Sequence, residues 1–343
     1  MPPSPSASPS TPPADLALIL AGGQGKRLRP YTDSAPKPLL ELREGYTILD
    51  KQLGDLRAAG VRRAVLLTGY LGELIERRYG PSWNGMEILY SREDGSRPLG
   101  TWGAVRNAIE GLSLRGPALV MNGDVVTDVD LRAMAPRGHP VTILAVPMRS
   151  PYGILEISGS EVVSFREKPV LPYYINGGVY YAADLGELLE WGRDLGTPSS
   201  LEEDLFPRLA AAGRLGARVE PDPDVLWRSV DSVKDLEELR SIYRSRVDRP
   251  WGHEVVTART DEFVNRRIRI RGGASIPPHS HAGNVETIYV ERGRVRVELD
   301  GGDPVELAEG CGITVERGRR HSIVALRDSL LEETSAPGDE RDG

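Results

Sequence analysis

Leu16-Ala-Leu-Ile-Leu-Ala-Gly-Gly-Gln-Gly-Lys-Arg-Leu-Arg-Pro30 is the stretch that decides how the N-terminal part of this chain folds. Six apolar residues run unbroken to Ala21 and stop at a glycine turn, the pattern of a strand covered on both faces. Outward from it, short apolar runs alternate with amphipathic stretches: Ile48–Ala59, Val61–Thr68, Leu71–Tyr79 and Met86–Tyr90. That alternation predicts βαβ units on a largely parallel sheet. Further strands are predicted at Ala118–Met121, Val141–Pro147, Ile154–Ile157, Val162–Phe165 and Gly178–Ala182. Helices are predicted at Leu185–Trp191, at Leu201–Ala212, where Ser199 or Ser200 could form a capping box, and at Val233–Arg246 behind Ser232.

In such a sheet ligands bind outside the carboxyl ends of the strands, where the turn Gly22–Gly25 falls. Glycines let backbone N–H groups approach phosphate oxygens, and Lys26 and Arg27 add positive charge. An ordinary strand-to-helix turn would also accept two glycines. Two familiar phosphate loops are excluded: Arg27, not Ser or Thr, follows Lys26, and the dinucleotide spacing is absent.

A chain of 343 residues, 39% hydrophobic, can fill two cores. After Arg249-Pro250 the texture changes to short alternating runs, Phe263–Arg271, Thr287–Glu291, Arg294–Leu299, Pro304–Leu307, Gly312–Val315 and Ser322–Ala325, broken by Gly and Pro turns. These predict an all-β barrel or sandwich. The expected organisation is a disordered lead-in over 1–13, an α/β domain over 14–246, a β domain over 247–334 and a polar tail over 335–343. A net charge of −7 and a pI near 5.5 leave no basic stripe, so nucleic acid is not an expected partner. The lone Cys311 rules out an intramolecular disulfide and fits a reducing compartment. With neither signal peptide nor any long apolar run, the expectation is a cytoplasmic protein without a membrane partner.

Leu20-Ala-Gly-Gly-Gln-Gly-Lys-Arg-Leu-Arg-Pro30, Thr32 and Pro36-Lys37-Pro38-Leu39 resemble the N-terminal signature of the nucleoside-diphosphate-sugar pyrophosphorylases. Further marks follow in order: Pro98-Leu99-Gly100-Thr101-Trp102-Gly103-Ala104, with Trp102 where the family usually has Ala or Gly, then Asn122-Gly123-Asp124, Phe165-Arg166-Glu167-Lys168-Pro169, Asn176-Gly177-Gly178 and Trp227-Arg228-Ser229-Val230-Asp231-Ser232. The resemblance implies a Rossmann-like, mixed but mostly parallel sheet and Mg²⁺-dependent transfer of a nucleotidyl group from an NTP to a sugar-1-phosphate. It assigns the nucleotide to Leu20, Ala21, Gly22, Gly23, Gly25, Lys26, Arg27, Gly100, Thr101 and Asp124. Arg27 would hold the departing pyrophosphate, Lys37 the phosphoryl group under attack, and Lys168 the incoming sugar phosphate. Gly153, Glu167, Asn176 and Gly177 would meet the sugar, and Asp124 and Asp231 the Mg²⁺. Leu99-Gly100-Thr101 with Gly103-Ala104 is most similar to mannose-1-phosphate guanylyltransferases and heptose-phosphate enzymes, which favours GTP, although thymidylyl and cytidylyl branches share parts of it.

Gly273, His279, His281, Glu286 and Gly293 match the first motif of the cupins, and His321, after Gly310 and Gly318, the second, with Glu316 where proline is usual. The resemblance implies a jelly-roll barrel. His279 and His281, two apart on an expected strand, would share one face and complete with Glu286 and His321 a site for Zn²⁺, Mn²⁺, Fe²⁺ or Ni²⁺. Arg249-Pro-Trp-Gly252 resembles the entry to the barrel of bifunctional mannose-1-phosphate guanylyltransferase/mannose-6-phosphate isomerases, but His279 stands where glutamine is common. The barrel could therefore isomerise or epimerise a sugar phosphate, bind sugar for regulation, or form a homodimer. A non-catalytic sugar-nucleotide sensor is the remaining alternative.

Overall fold

The computed structural model describes residues 14–94, 97–134, 138–222, 225–281 and 283–337, so the lead-in 1–13 and the end of the tail, 338–343, lie outside the described residues. The chain divides into two compact units between Glu237 and Glu238.

The N-terminal unit carries strands β1 (Leu16–Ala21), β2 (Arg63–Thr68), β3 (Ser82–Trp83), β4 (Met86–Arg92), β5 (Ala118–Asn122) and β6 (Val141–Arg149). After these come the hairpin β7 (Ile154–Ser158) and β8 (Glu161–Arg166), then β9 (Val170–Ala182) and β10 (Leu215–Val219). Its helices are α1 (Ile48–Ala58), α2 (Gly72–Tyr79), α3 (Gly100–Gly111), α4 (Leu185–Trp191) and α5 (Phe206–Ala211). One eight-stranded sheet has the order β10-β6-β9-β5-β1-β2-β4-β3. It is mixed but mostly parallel, with β9 running against both β5 and β6. The period of two along β1 separates two cores. Ala17, Ile19 and Ala21 pack with Leu49, Leu53 and Leu56 of α1, whereas Leu16 and Leu18 pack with Trp102, Val105 and Ile109 of α3.

From β1 the chain moves to β2 on one side and later returns to β5 on the other, which creates the crevice where ligands bind in open α/β sheets. Register fixes its floor: Leu20 stands opposite Leu67 in β2 and Asn122 in β5, so the turns after all three strands open at one level.

Strands β3 and β10 carried no sequence expectation, and three further elements depart from it. Gly100–Thr101 opens helix α3, although this segment reads in sequence only as a motif. The helix expected over Leu201–Ala212 is instead a π-helical turn, Leu201–Leu205, followed by α5. Pro207 has no N–H to close a regular α-turn there, and Ser200 Oγ caps the start by accepting from the N–H groups of Glu202 and Glu203, each at 3.1 Å. Strand β9 begins at Val170, well ahead of the expected Gly178, and crosses two register shifts.

The C-terminal unit contains β11 (Arg246–Arg249), β12 (Gly252–Arg259), β13 (Val264–Ile270), β14 (Ser275–His279), β15 (Glu286–Arg292), β16 (Arg294–Leu299), β17 (Val305–Ala308), β18 (Gly312–Val315), β19 (His321–Ala325) and β20 (Ser329–Ser335). They form two antiparallel sheets, β11-β12-β13-β20-β15-β18 and β14-β19-β16-β17, around Ile268, Ile288, Val290, Val297, Ile323 and Leu331. Of these strands β11, β12 and β20 carried no sequence expectation, and β14 only the strand expected to hold His279 and His281. Among the described residues, no helix is long and apolar enough to cross a membrane.

Candidate active site

The glycine turn after β1 is shaped by what presses on it. A Cβ on Gly22 would lie 2.5 Å from Glu93 Oε1, so the carboxylate at the end of β4 can rest against the turn only because that position is glycine. Gly25 adopts a φ of 58° and begins a single 3₁₀ turn, Lys26–Leu28. The Thr32 hydroxyl, donating to Gly25 O at 2.9 Å, ties the turn down. Lys37 sits on its own 3₁₀ turn between Pro36 and Pro38.

Asp124 directly follows β5 through Gly123, whose N–H donates to Leu20 O at 3.0 Å. A Cβ on Gly123 would be 2.2 Å from that oxygen, so no larger residue fits. Val125–Thr127 pairs antiparallel with Trp227–Ser229, and Val230 N donates to Asp124 O at 2.9 Å. This pairing carries Asp231 to Asp124.

The result is a cavity of about 450 Å³ at the sheet's carboxyl edge, lined by residues 20–28, Lys37, Glu93, Gly100, Thr101, Asn122, Asp124 and Asp231, among others. Lys37 Nζ lies 2.7 Å from Asp124 Oδ2 and 3.4 Å from Asp231 Oδ1. Arg27 Nη2 is 3.9 Å from Asp231 Oδ1, and its side chain is otherwise in solvent. Burial works to raise the Asp231 carboxyl, but the Ser229 hydroxyl at 2.8 Å, the Lys37 ammonium and then Arg27 outweigh it and hold it below the usual carboxylate range. One ammonium nitrogen touches both carboxylates, so the two are close enough to share one cation. Two carboxylates facing open space suit Mg²⁺, which completes its shell with water and phosphate oxygens.

All ten expected nucleotide residues line this cavity. Asn122, quoted only as part of its motif, lines it as well, and so does Glu93, which had not been singled out; for Glu93 an acidic residue at the carboxyl end of a parallel strand was the available signal. Gly100, at φ 78°, has its Cβ position 2.2 Å from Ser199 O, while Trp102 N and Gly103 N donate to that same carbonyl. The start of α3 is therefore clamped to the 199–202 segment. Gly100→Ala is expected to cost at least ~1–2 kcal/mol from the left-handed backbone alone and to weaken nucleotide binding, as denaturant melts with nucleotide titration would show. An unchanged midpoint and affinity would refute the clamp.

The expected sugar residues lie outside this cavity. Lys168 is exposed between β8 and β9 with a φ of 44°, rare for a side chain of its size. A Cβ on Gly153 would stand 2.7 Å from Phe165 Cζ and 3.1 Å from Glu167 Oε2, so these residues form one group. Asn176 and Gly177 lie on β9, where Asn176 Nδ2 donates to Tyr180 OH and Gly177 O accepts from Trp227 Nε1, both at 2.9 Å.

In the C-terminal unit the ligand atoms of His279, Glu286 and His321 fall within 4.8 Å of one another. His281 Nε2 is 3.3 Å from Glu286 Oε2, and His321 Nε2 is 2.5 Å from Oε1. His281 does not share a strand with His279, contrary to expectation. Pro277 and Pro278 supply no ladder N–H, the register slips between Ile276 and His279, and β14 ends there. The rings still converge, 5.0 Å apart by centroid. Nδ1 of His279 lies 2.9 Å from Pro277 O and Nδ1 of His321 lies 3.2 Å from Arg319 O. With Nδ1–H on a carbonyl, each ring turns its Nε2 inward, toward a buried carboxylate that makes no aligned hydrogen bond. That arrangement requires a proton or a metal cation between the groups. Burial pushes His279 down, in the direction of the neutral ligand form.

Residues 16–245 match the model of a family described as nucleotidyl transferase. The chain belongs to that family. Residues 266–332 match a cupin domain. Similar proteins include the mannose-1-phosphate guanylyltransferase catalytic subunit beta of Danio rerio, 34% identical over 232 residues, 64% of this chain and 62% of that one. Another is the D-glycero-alpha-D-manno-heptose 1-phosphate guanylyltransferase of Aneurinibacillus thermoaerophilus, 36% identical over 176 residues, 48% of this chain and 74% of that one. The chain thus spans 62% of the length of the first of these relatives. The crystal structure of HddC from Yersinia pseudotuberculosis aligns with a TM-score of 0.52 at 24% identity, covering 67% of this chain and 100% of that one, a likeness of fold.

Proposed function

We propose that the N-terminal unit transfers a nucleotidyl group from an NTP, with GTP favoured, to a sugar-1-phosphate of mannose or heptose type, releasing pyrophosphate. The observation that carries this reading is the convergence of Lys37, Asp124, Asp231 and Arg27 at the glycine turn. Both guanylyltransferase relatives support the choice of GTP and of these sugars.

A sugar-1-phosphate brings its own nucleophilic oxygen, so the protein's task is to position reactants and neutralise charge. That oxygen forms a bond to the α-phosphorus while the α–β bridging bond breaks and its electrons leave with pyrophosphate. Backbone amides of the turn cradle the triphosphate, the exposed Arg27 guanidinium swings onto the departing pyrophosphate, and Lys37 faces the reacting phosphoryl group. Lys168 and the Gly153–Glu167 group would meet the sugar phosphate. Asp124 and Asp231 would hold Mg²⁺, which supplies charge neutralisation at the phosphates when bound.

The barrel supports a separate metal-dependent role. His279, His281, Glu286 and His321 would hold a divalent transition metal such as Zn²⁺, Mn²⁺, Fe²⁺ or Ni²⁺, since three imidazoles and a carboxylate suit those ions better than Mg²⁺. A sugar-phosphate isomerase or epimerase activity there is the second reading.

The test is a pyrophosphate-release screen of the four NTPs against a panel of sugar-1-phosphates with Mg²⁺. Release is expected with GTP and either mannose 1-phosphate or a manno-heptose 1-phosphate. Silence of every pair, from folded protein, would overturn the reading.

A further inference from the structure

Between the nucleotide cavity and Asn176 lies a carboxylate that the chemistry above does not use. Glu202, on the π-helical turn, accepts three hydroxyls: Thr101 at 2.7 Å and Ser200 at 3.1 Å on Oε2, and Tyr180 at 3.0 Å on Oε1. Tyr180 OH in turn accepts from Asn176 Nδ2 at 2.9 Å, and Asn176 Oδ1 accepts from Gly178 N at 2.9 Å. Glu202 does not line the cavity; Thr101 does.

We infer that Glu202 is a positioning residue for the sugar-phosphate half of the reaction, pinning the Asn176 amide nitrogen through Tyr180. This inference rests on the reading that Asn176 meets the sugar. A carboxylate oxygen accepts, so the Tyr180 proton points at it, leaving the phenol's lone pairs for the amides of Asn176 and Asn122. Gly178 N, a donor, then holds the amide oxygen on the opposite side. Reversing the first bond would set the phenol proton against Asn176 Nδ2, because Gly178 N can only donate and keeps the amide oxygen where it is. Tyr180 is well placed to keep its proton: burial first, then the Glu202 charge, push its phenol well above the ordinary range. π-Turns inside helices recur at functional sites, where they re-aim a side chain. Here the turn lets Glu202 face Thr101 and Tyr180 at once.

The relay makes an asymmetric prediction for Glu202→Gln. The remaining carbonyl oxygen is best placed on the Oε2 side, where two hydroxyls and no other acceptor meet it. The new NH₂ group then faces Tyr180, whose hydroxyl must turn round and can no longer accept comfortably from Asn176. Loss of one such buried bond corresponds to about a tenfold effect. The KM for mannose 1-phosphate is therefore expected to rise about tenfold, and the KM for GTP to stay within about twofold. In a Tyr180→Phe background the same substitution should add almost nothing, because its messenger is gone.

If both KM values rise together, or if the full effect persists without the Tyr180 hydroxyl, Glu202 acts only as a structural residue and the inference is wrong. Failure of the wild-type protein to turn over GTP with mannose 1-phosphate would instead count against that substrate reading. A second measurement decides the positioning claim without turnover: side-chain NH₂ exchange of Asn176 in ¹⁵N-labelled protein. Protection is expected in the wild type and its loss in Glu202→Gln; equal protection in both would overturn the inference.

Discussion

Replacing Lys37 with methionine is expected to lower kcat/KM for nucleotidyl transfer about 10²–10³-fold, the range seen when one preorganised donor is removed from a charge-developing site. The ammonium lies between Asp124 and Asp231 and so sits where charge must be balanced as the α-phosphorus is attacked. Methionine preserves the length of the stem and removes only the cation, so the 3₁₀ turn between Pro36 and Pro38 has no reason to change. A second readout separates this from general damage. Without the ammonium the two carboxylates are left with only the exposed Arg27, 3.9 Å from Asp231, to offset them, and the free protein should bind Mn²⁺ more tightly than the wild type does. Lys37→Arg is not expected to restore activity, because a planar fork cannot occupy the place of a point charge that touches both acids. Retention of activity within a few-fold in Lys37→Met would remove the centre of the proposed mechanism.

The second large effect is expected in the barrel. His321→Ala should destabilise the C-terminal unit by about 3–5 kcal/mol, the usual consequence of removing one member of a buried ion pair. Both partners are almost fully buried, with side chains 1% and 2% exposed. For Glu286, burial alone pushes the carboxyl up, but the contact with His321, backed by His281 and His279, holds it below the ordinary range. Without His321 that charge is stranded. Glu286→Gln added to His321→Ala should recover part of the loss by removing the stranded charge, and both proteins should lose any transition metal that co-purifies with the wild type. Chemical denaturation and elemental analysis of the purified proteins check the two halves. A single variant as stable as the wild type, or one that keeps its metal, would remove His321 from the site.

The sheet was legible in sequence because a central parallel strand must be apolar on both faces, and Leu16–Ala21 is. The centre of the site was legible only through the order of its motifs. Lys37 meets Asp124 across 87 positions and Asp231 across 194, separations to which no local periodicity is sensitive. Glu93, Glu202 and Tyr180 escaped for the same reason: a single polar residue inside an otherwise regular pattern looks like any solvated side chain until the fold places something against it. Gly100–Gly111 hid its helix because its first turn is capped from outside, by Ser199 O, and carries no capping side chain of its own. His281 shows the converse error. The spacing to His279 was right for a strand, yet Pro277-Pro278 had already stopped the ladder.

Those two prolines also bear on how copies of the chain could associate. Strand β14 is the outermost member of its sheet and, among the described residues, is hydrogen-bonded only to β19. An incoming strand seeks amide hydrogens along such a rim, and here the middle of the rim has none to give. The His279 side of the barrel is thereby closed to strand-by-strand fibre growth, and a dimer built on this barrel must be sought at the opposite margin or through side-chain packing.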